Sequence, residues 1–115
     1  MQDISKLNNI VGKLSKMDDV TTVFATSRAG VFAMGMTPKM TDRAMFSAIT
    51  SMMIGAAEQM GREMGDELSH MTLHLNESNM LIMGAGNKHL VGLVLVRKCD
   101  VEKIVAEAKT IIANG

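Results

Sequence analysis

The chain has no tryptophan and no tyrosine, and only three phenylalanines, one proline and one cysteine among its 115 residues. A lone Cys99 excludes an internal disulfide. The shortage of aromatics removes the stacking platforms that hold single-stranded nucleic acid. Net charge is missing too: twelve Lys and Arg balance twelve Asp and Glu, whereas a polyanion partner demands a concentrated positive excess. No apolar run approaches the ~18 residues of a membrane span, and no charged-then-apolar leader marks a secretory signal. What remains is the expectation of a soluble cytoplasmic protein with neither nucleic acid nor a membrane span among its partners.

Against these absences stand 47% hydrophobic residues, enough to offset the entropy of ordering one core, and a length that suits a single domain over residues 1–115. Thirteen of the residues are methionine. Met fills irregular core gaps, and it also recurs on surfaces that accept partners. Where the methionines fall decides between the two roles.

Residues 3–17 place Ile4, Leu7, Ile10, Val11, Leu14 and Met17 at helical spacing, with Lys6, Asn9, Lys13 and Lys16 opposite. Residues 20–25 are rich in β-branched side chains, the turn Ser27-Arg28-Ala29-Gly30 follows, and residues 31–36 resume an extended apolar run, which predicts a hairpin. Pro38 ends the second strand, and Thr41 is expected to cap a long helix with Asp42 in its first turn, running to a stop at Gly65. From Leu68 to Leu75 the chain alternates, Met71, Leu73 and Leu75 on one face and His70, Thr72 and His74 on the other. Residues 80–84 form a short apolar strand. Residues 90–96 are a continuous apolar run, the mark of a strand buried on both faces and central in its sheet. Asp100 caps a last helix over residues 101–113. The fold class is α+β, in the order α-β-β-α-β-β-β-α.

The middle helix carries more apolar surface than one sheet covers. Met45, Ala48, Met52 and Ala56 form one row, and Ile49, Met53, Ala57, Met60 and Met64 a second beside it. Gly55 and Gly61 each cost about 1 kcal/mol inside a helix, which suggests close packing against another helix. The 70–75 segment has neither Pro nor Lys nor Arg, so at a sheet edge it would be an undefended template for its own copy. Together these features imply a homodimer, with Met45, Met52, Met53, Ala56, Met60, His70, Thr72 and His74 at its interface.

The element order, the Ser27-Arg28-Ala29-Gly30 turn between strands, the long helix of small residues and Met, and the 90–96 strand resemble the Roadblock/LC7 family over residues 7–112. The resemblance implies a profilin-like five-stranded antiparallel sheet with the long helix on one face and the two terminal helices on the other. It also implies dimerisation through the long helix and third strand. Members of that family include bacterial polarity regulators, which serve small Ras-like GTPases as scaffolds, localisers or activating partners, and dynein light chains. Such a GTPase would meet the paired long helices and receive no catalytic side chain from them. By element, its contacts would be Arg43, Ser47, Thr50, Ser51, Gln59, Arg62 and Glu63.

Catalytic signals are weak by comparison. On one strand His70 and His74 lie about 13 Å apart, too far to share an ion. Residues 84–88, Gly-Ala-Gly-Asn-Lys, precede a strand and lack the helix N-terminus of a phosphate loop. Cys99 sits before Asp100, whose charge raises a thiol pKa, and reads as structural. The expectation is therefore a non-enzymatic regulator or scaffold without metal or cofactor. The alternatives are a small-ligand sensor and a structural subunit of a larger complex such as a motor.

Overall fold

The computed structural model describes residues 2–115. Eight elements follow in order: α1 (Gln2–Leu14), β1 (Val20–Ser27), β2 (Phe32–Gly35), α2 (Arg43–Glu63), β3 (Met71–His74), β4 (Ser78–Ala85), β5 (His89–Val96) and α3 (Val101–Asn114). The strands form one antiparallel sheet in the order β2-β1-β5-β4-β3. This is the expected α+β architecture, with the apolar β5 at its centre.

Strand alternation divides the core into two. Val23, Ala25, Leu81, Met83, Val91, Leu93 and Leu95 point to one face, where α1 contributes Leu7, Ile10, Val11 and Leu14 and α3 contributes Ile104, Val105 and Ala108. Phe24, Met80, Ile82 and Leu90 point to the other, against Phe46, Met53 and Ile54 of α2 and Leu68, Met71 and Leu73 of the third-strand region. The terminal helices thus share one face and the long helix has the other. Among the described residues, no helix is long and apolar enough to cross a membrane.

Element ends depart from expectation for local reasons. α1 stops at Leu14 because the chain tightens, Lys16 N donating to Lys13 O and Met17 N to Leu14 O, yet Met17 still reaches the core. Thr41 is not the cap of α2. Its hydroxyl is taken by the Pro38 carbonyl, and Asp42 caps instead, its carboxylate accepting from Met45 N at 3.1 Å. The stop at Gly65 is as expected: with φ +70°, it lets Gly65 N donate to Arg62 O and Asp66 N to Gly61 O, a Schellman ending. β3 is shorter than the alternation predicted, because Leu68 turns into the α2-side core before pairing with β4 begins at Met71.

Gly92, in the middle of β5, leaves room for the Phe24 ring; a Cβ there would lie 2.4 Å from Phe24 Cε1. Phe24 in turn meets Phe46 edge to face at 5.2 Å between centroids. Gly92→Ala should therefore destabilise the fold by about 1–3 kcal/mol, through displacement of Phe24 and the helix above it. Chemical denaturation of the two proteins checks this, and an unchanged midpoint would refute the packing.

Candidate functional site

α2 is built inside out. Ser47 and Thr50 are 0% and 1% exposed, whereas Met45, Met52, Met60 and Met64 on the outer face are 62–75% exposed and Ile49 is 45% exposed. The cause lies in the β1–β2 turn. Gly30, at φ +91°, brings the turn so close that a Cβ on it would lie 3.1 Å from the Ala48 Cα and 3.2 Å from the Ser51 Cβ. Only small side chains fit between turn and helix, where Ser47, Ala48 and Ser51 lie. Thr50 satisfies its hydroxyl on Phe46 O at 2.9 Å, Ser51 donates to Arg28 O, and Ser47 Oγ has no partner among the described residues. Arg28 then reaches over Gly84 to pair with Glu58 at 3.0 Å, locking the turn onto the helix.

This geometry sorts the sequence-derived positions. Met45, Met52, Ala56 and Met60 share the exposed outer face, as the dimer expectation required. Met53 does not: it is half-buried and packs into the α2-side core. Of the positions expected to contact a partner, Ser47 and Thr50 are corrected outright, since both are buried, and Ser51 is half-buried on the Arg28 carbonyl. Arg43, Gln59, Arg62 and Glu63 are exposed. Arg43 stacks over the Phe32 ring at 4.8 Å, while Gln59 joins Arg62 and Glu63 in one polar cluster beside the methionines.

Sequence reasoning missed a groove. Beside the C-terminal half of α2 lies an open cavity of about 640 Å³, lined by Met53, Ala56, Ala57, Met60, Gly61, Met64, Leu68 and Met71 with Asp66 and Glu67 at its rim. Gly61 was the available signal, because a Cβ on it would lie 3.5 Å from Leu68 N, where the chain returns beside the helix. A smaller cavity of about 350 Å³ lies at the far side of the molecule between α1 and the β4–β5 turn, where Lys88 pairs with Asp3 at 3.5 Å.

β3 borders the groove and is an outer edge of the sheet. Met71 and Leu73 face α2, so His70, Thr72 and His74 face the side of α3. His70 Nδ1 lies 3.0 Å from Ser69 Oγ, to which Lys109 of α3 also donates. His74 Nδ1 lies 2.9 Å from Asn79 Oδ1, and the buried Asn79 amide donates onward to Val96 O and Arg97 O and contacts Cys99 Sγ. Among the described residues, no group of three or more His, Cys, Asp or Glu is placed to hold a metal.

No protein-family model matches the chain, and no curated protein matches it in sequence. Solved structures do match in shape. MglB from Myxococcus xanthus superposes with a TM-score of 0.83 at 12% identity, covering 98% of this chain and 86% of that one. A structure of MglB with a tetrameric arrangement gives 0.81 at 11% identity, over 99% and 88%. A Roadblock/LC7 domain from Streptomyces avermitilis gives 0.76 at 13%, over 90% and 88%. The fold is the Roadblock/LC7 fold of MglB.

Burial holds the pKa of His70 below its ordinary 6.5, with Lys109 adding to the effect and Glu102 opposing it. The folded chain therefore takes up this proton less readily than the unfolded one. Its contribution to stability is complete above 6.5 and is lost as pH falls through that value towards the lower folded-state pKa. Denaturation midpoints measured from about pH 7.5 down to about pH 5 should show a decline that His70→Gln reduces.

Proposed function

We propose that the chain is a cytoplasmic, homodimeric and non-catalytic regulator or scaffold of a small Ras-like GTPase. The observation that carries this reading is the exposed methionine face of α2, continuous with an apolar groove and an unprotected strand edge. Soluble monomers rarely leave so long an apolar surface open, because water exposure of each such side chain forfeits about 1.5–3 kcal/mol of burial. A second copy placed across a two-fold axis covers α2 with α2 and β3 with β3 at once. Met45, Met52, Ala56, Met60 and Thr72 are the central contacts in this arrangement, flanked by His70 and His74. The tetrameric arrangement recorded for MglB, which shares this fold, is consistent with self-association.

The GTPase would meet the paired helices at the polar positions that remain exposed: Arg43 near one end of α2, and Gln59, Arg62 and Glu63 near the other. The role is positional, since phosphoryl transfer in such enzymes depends on groups the GTPase and its Mg²⁺ can supply, which a partner need only reposition. The groove is lined by apolar side chains and lacks the convergent polar groups of a ligand site, which favours a protein partner over a sensed small molecule.

Sedimentation at tens of micromolar should give about twice the 12.4 kDa of one chain. Met52→Lys combined with Met60→Lys should return it to one chain with an unchanged circular dichroism spectrum. In co-migration assays with Ras-like GTPases of the same organism, loaded with GDP or a GTP analogue, at least one should bind the wild-type dimer and lose affinity for Arg62→Glu. A chain that stays monomeric, or that binds no GTPase in either nucleotide state, refutes the corresponding half of the proposal.

A further inference from the structure

His70, just before β3, and His74, at its end, are too far apart for one ion within a single chain, but a symmetric edge changes their neighbours. Leu75 N donates to Ser78 O at 2.9 Å. By the alternation of an antiparallel ladder, Met71 and Leu73 then bond inward to β4, while His70, Thr72 and His74 turn their backbone groups outward. A two-fold pairing must set outward residues against outward residues. Registers that use the whole of β3 are therefore centred on Thr72 or on Leu73. In the first, His70 stands directly opposite His74 of the second copy, at a Cβ separation of about 5 Å. In the second, the two His74 rings are diagonal neighbours at about 7–8 Å, within reach of long side chains. Both registers bring imidazoles from different copies together on the α3 side of the sheet.

His74 is prepared for such a role. Asn79 is 2% exposed, and its amide nitrogen is committed to Val96 O and Arg97 O, which fixes its Oδ1 towards His74 Nδ1. An oxygen acceptor there requires Nδ1 to carry the proton, so the neutral ring presents a bare Nε2 lone pair outward. This is the arrangement by which a carbonyl behind a histidine orients it towards a metal. His70 can take the same tautomer, its Nδ1–H donated to Ser69 Oγ, whose other lone pair receives Lys109. The charged groups facing His70 are Lys109 and Glu102, both from α3.

We propose that pairing of β3 with its own copy creates a site for a divalent transition metal such as Zn²⁺ or Ni²⁺. His74 of one copy and His70 or His74 of the other supply its protein ligands. Water completes the coordination sphere, and the site does not exist in one chain. The inference rests on the self-association proposed above, and it adds a ligand that tightens that association.

Sedimentation of the full chain at neutral pH, in EDTA and in Zn²⁺ or Ni²⁺, tests it together with equilibrium dialysis for bound metal. Metal at about ten times its own dissociation constant should tighten the dimer by about tenfold in the Leu73-centred register, which makes one site, and by about a hundredfold in the Thr72-centred one, which makes two symmetry-related sites, and His74→Gln should abolish both the tightening and the binding. His70→Gln should abolish them for the Thr72-centred register and preserve them for the Leu73-centred one. Circular dichroism confirms that each variant is folded. A dimer whose affinity is the same in EDTA and in metal overturns the site while leaving the self-association intact, and so does metal retained by His74→Gln. A chain monomeric in every condition overturns both.

Discussion

The α2 side of the molecule depends on Phe24 lying in the space that Gly92 leaves empty. One large ring fills the middle of that face and meets Phe46 edge-on, so the helix is held at a distance set by a single aromatic contact. At the hairpin end the constraint reverses, and Gly30 draws the turn almost onto the helix backbone. Between a tall support and a close one, α2 buries Ser47, Thr50 and Ile54 and packs Phe46 and Met53 beside them. Phe46, Met53 and Ile54 pack inward, and Met45, Ile49, Met52, Met60 and Met64 are left on the outside. The exposed methionines follow from how the helix is seated, and they give it a surface whose flexible thioethers can adapt to another protein.

Much of this was legible in the sequence. The continuous run at 90–96 placed β5 centrally, Gly65 ended α2, Asp100 capped α3, and the alternation at 71–74 put Met71 and Leu73 on the core side, all through local spacing and capping chemistry. The orientation of α2 was not legible. Periodicity showed two apolar rows but not which side faced the sheet, and hydroxyl residues such as Ser47 and Thr50 read as solvent-facing by default. Ser47 is covered where Gly30, distant in sequence, brings the turn against the helix, and Thr50 is buried with its hydroxyl on Phe46 O. The groove escaped notice for the same reason, since it exists only where Gly61 meets the backbone returning at Leu68.

The buried Asn79 joins regions that the chain keeps apart. Its side chain links the exposed edge, through His74, to the two carbonyls that lead from β5 towards α3. A buried amide with every group committed tolerates little displacement, because a broken bond leaves a desolvated partner behind at a cost of about 1–3 kcal/mol. The edge strand is thereby held in position by the centre of the sheet, and its histidines are pre-oriented.

The opposite edge of the sheet bears on how far such a molecule can assemble. β2 spans only Phe32–Gly35, its pairing with β1 is interrupted by a bulge at Ala25/Thr26, Gly35 turns to φ +92°, and Pro38 follows. Each of these features resists the addition of another strand. A sheet extended through β3 therefore ends on both sides in a blunted strand. Growth by edge pairing closes after one doubling and does not propagate into a fibre.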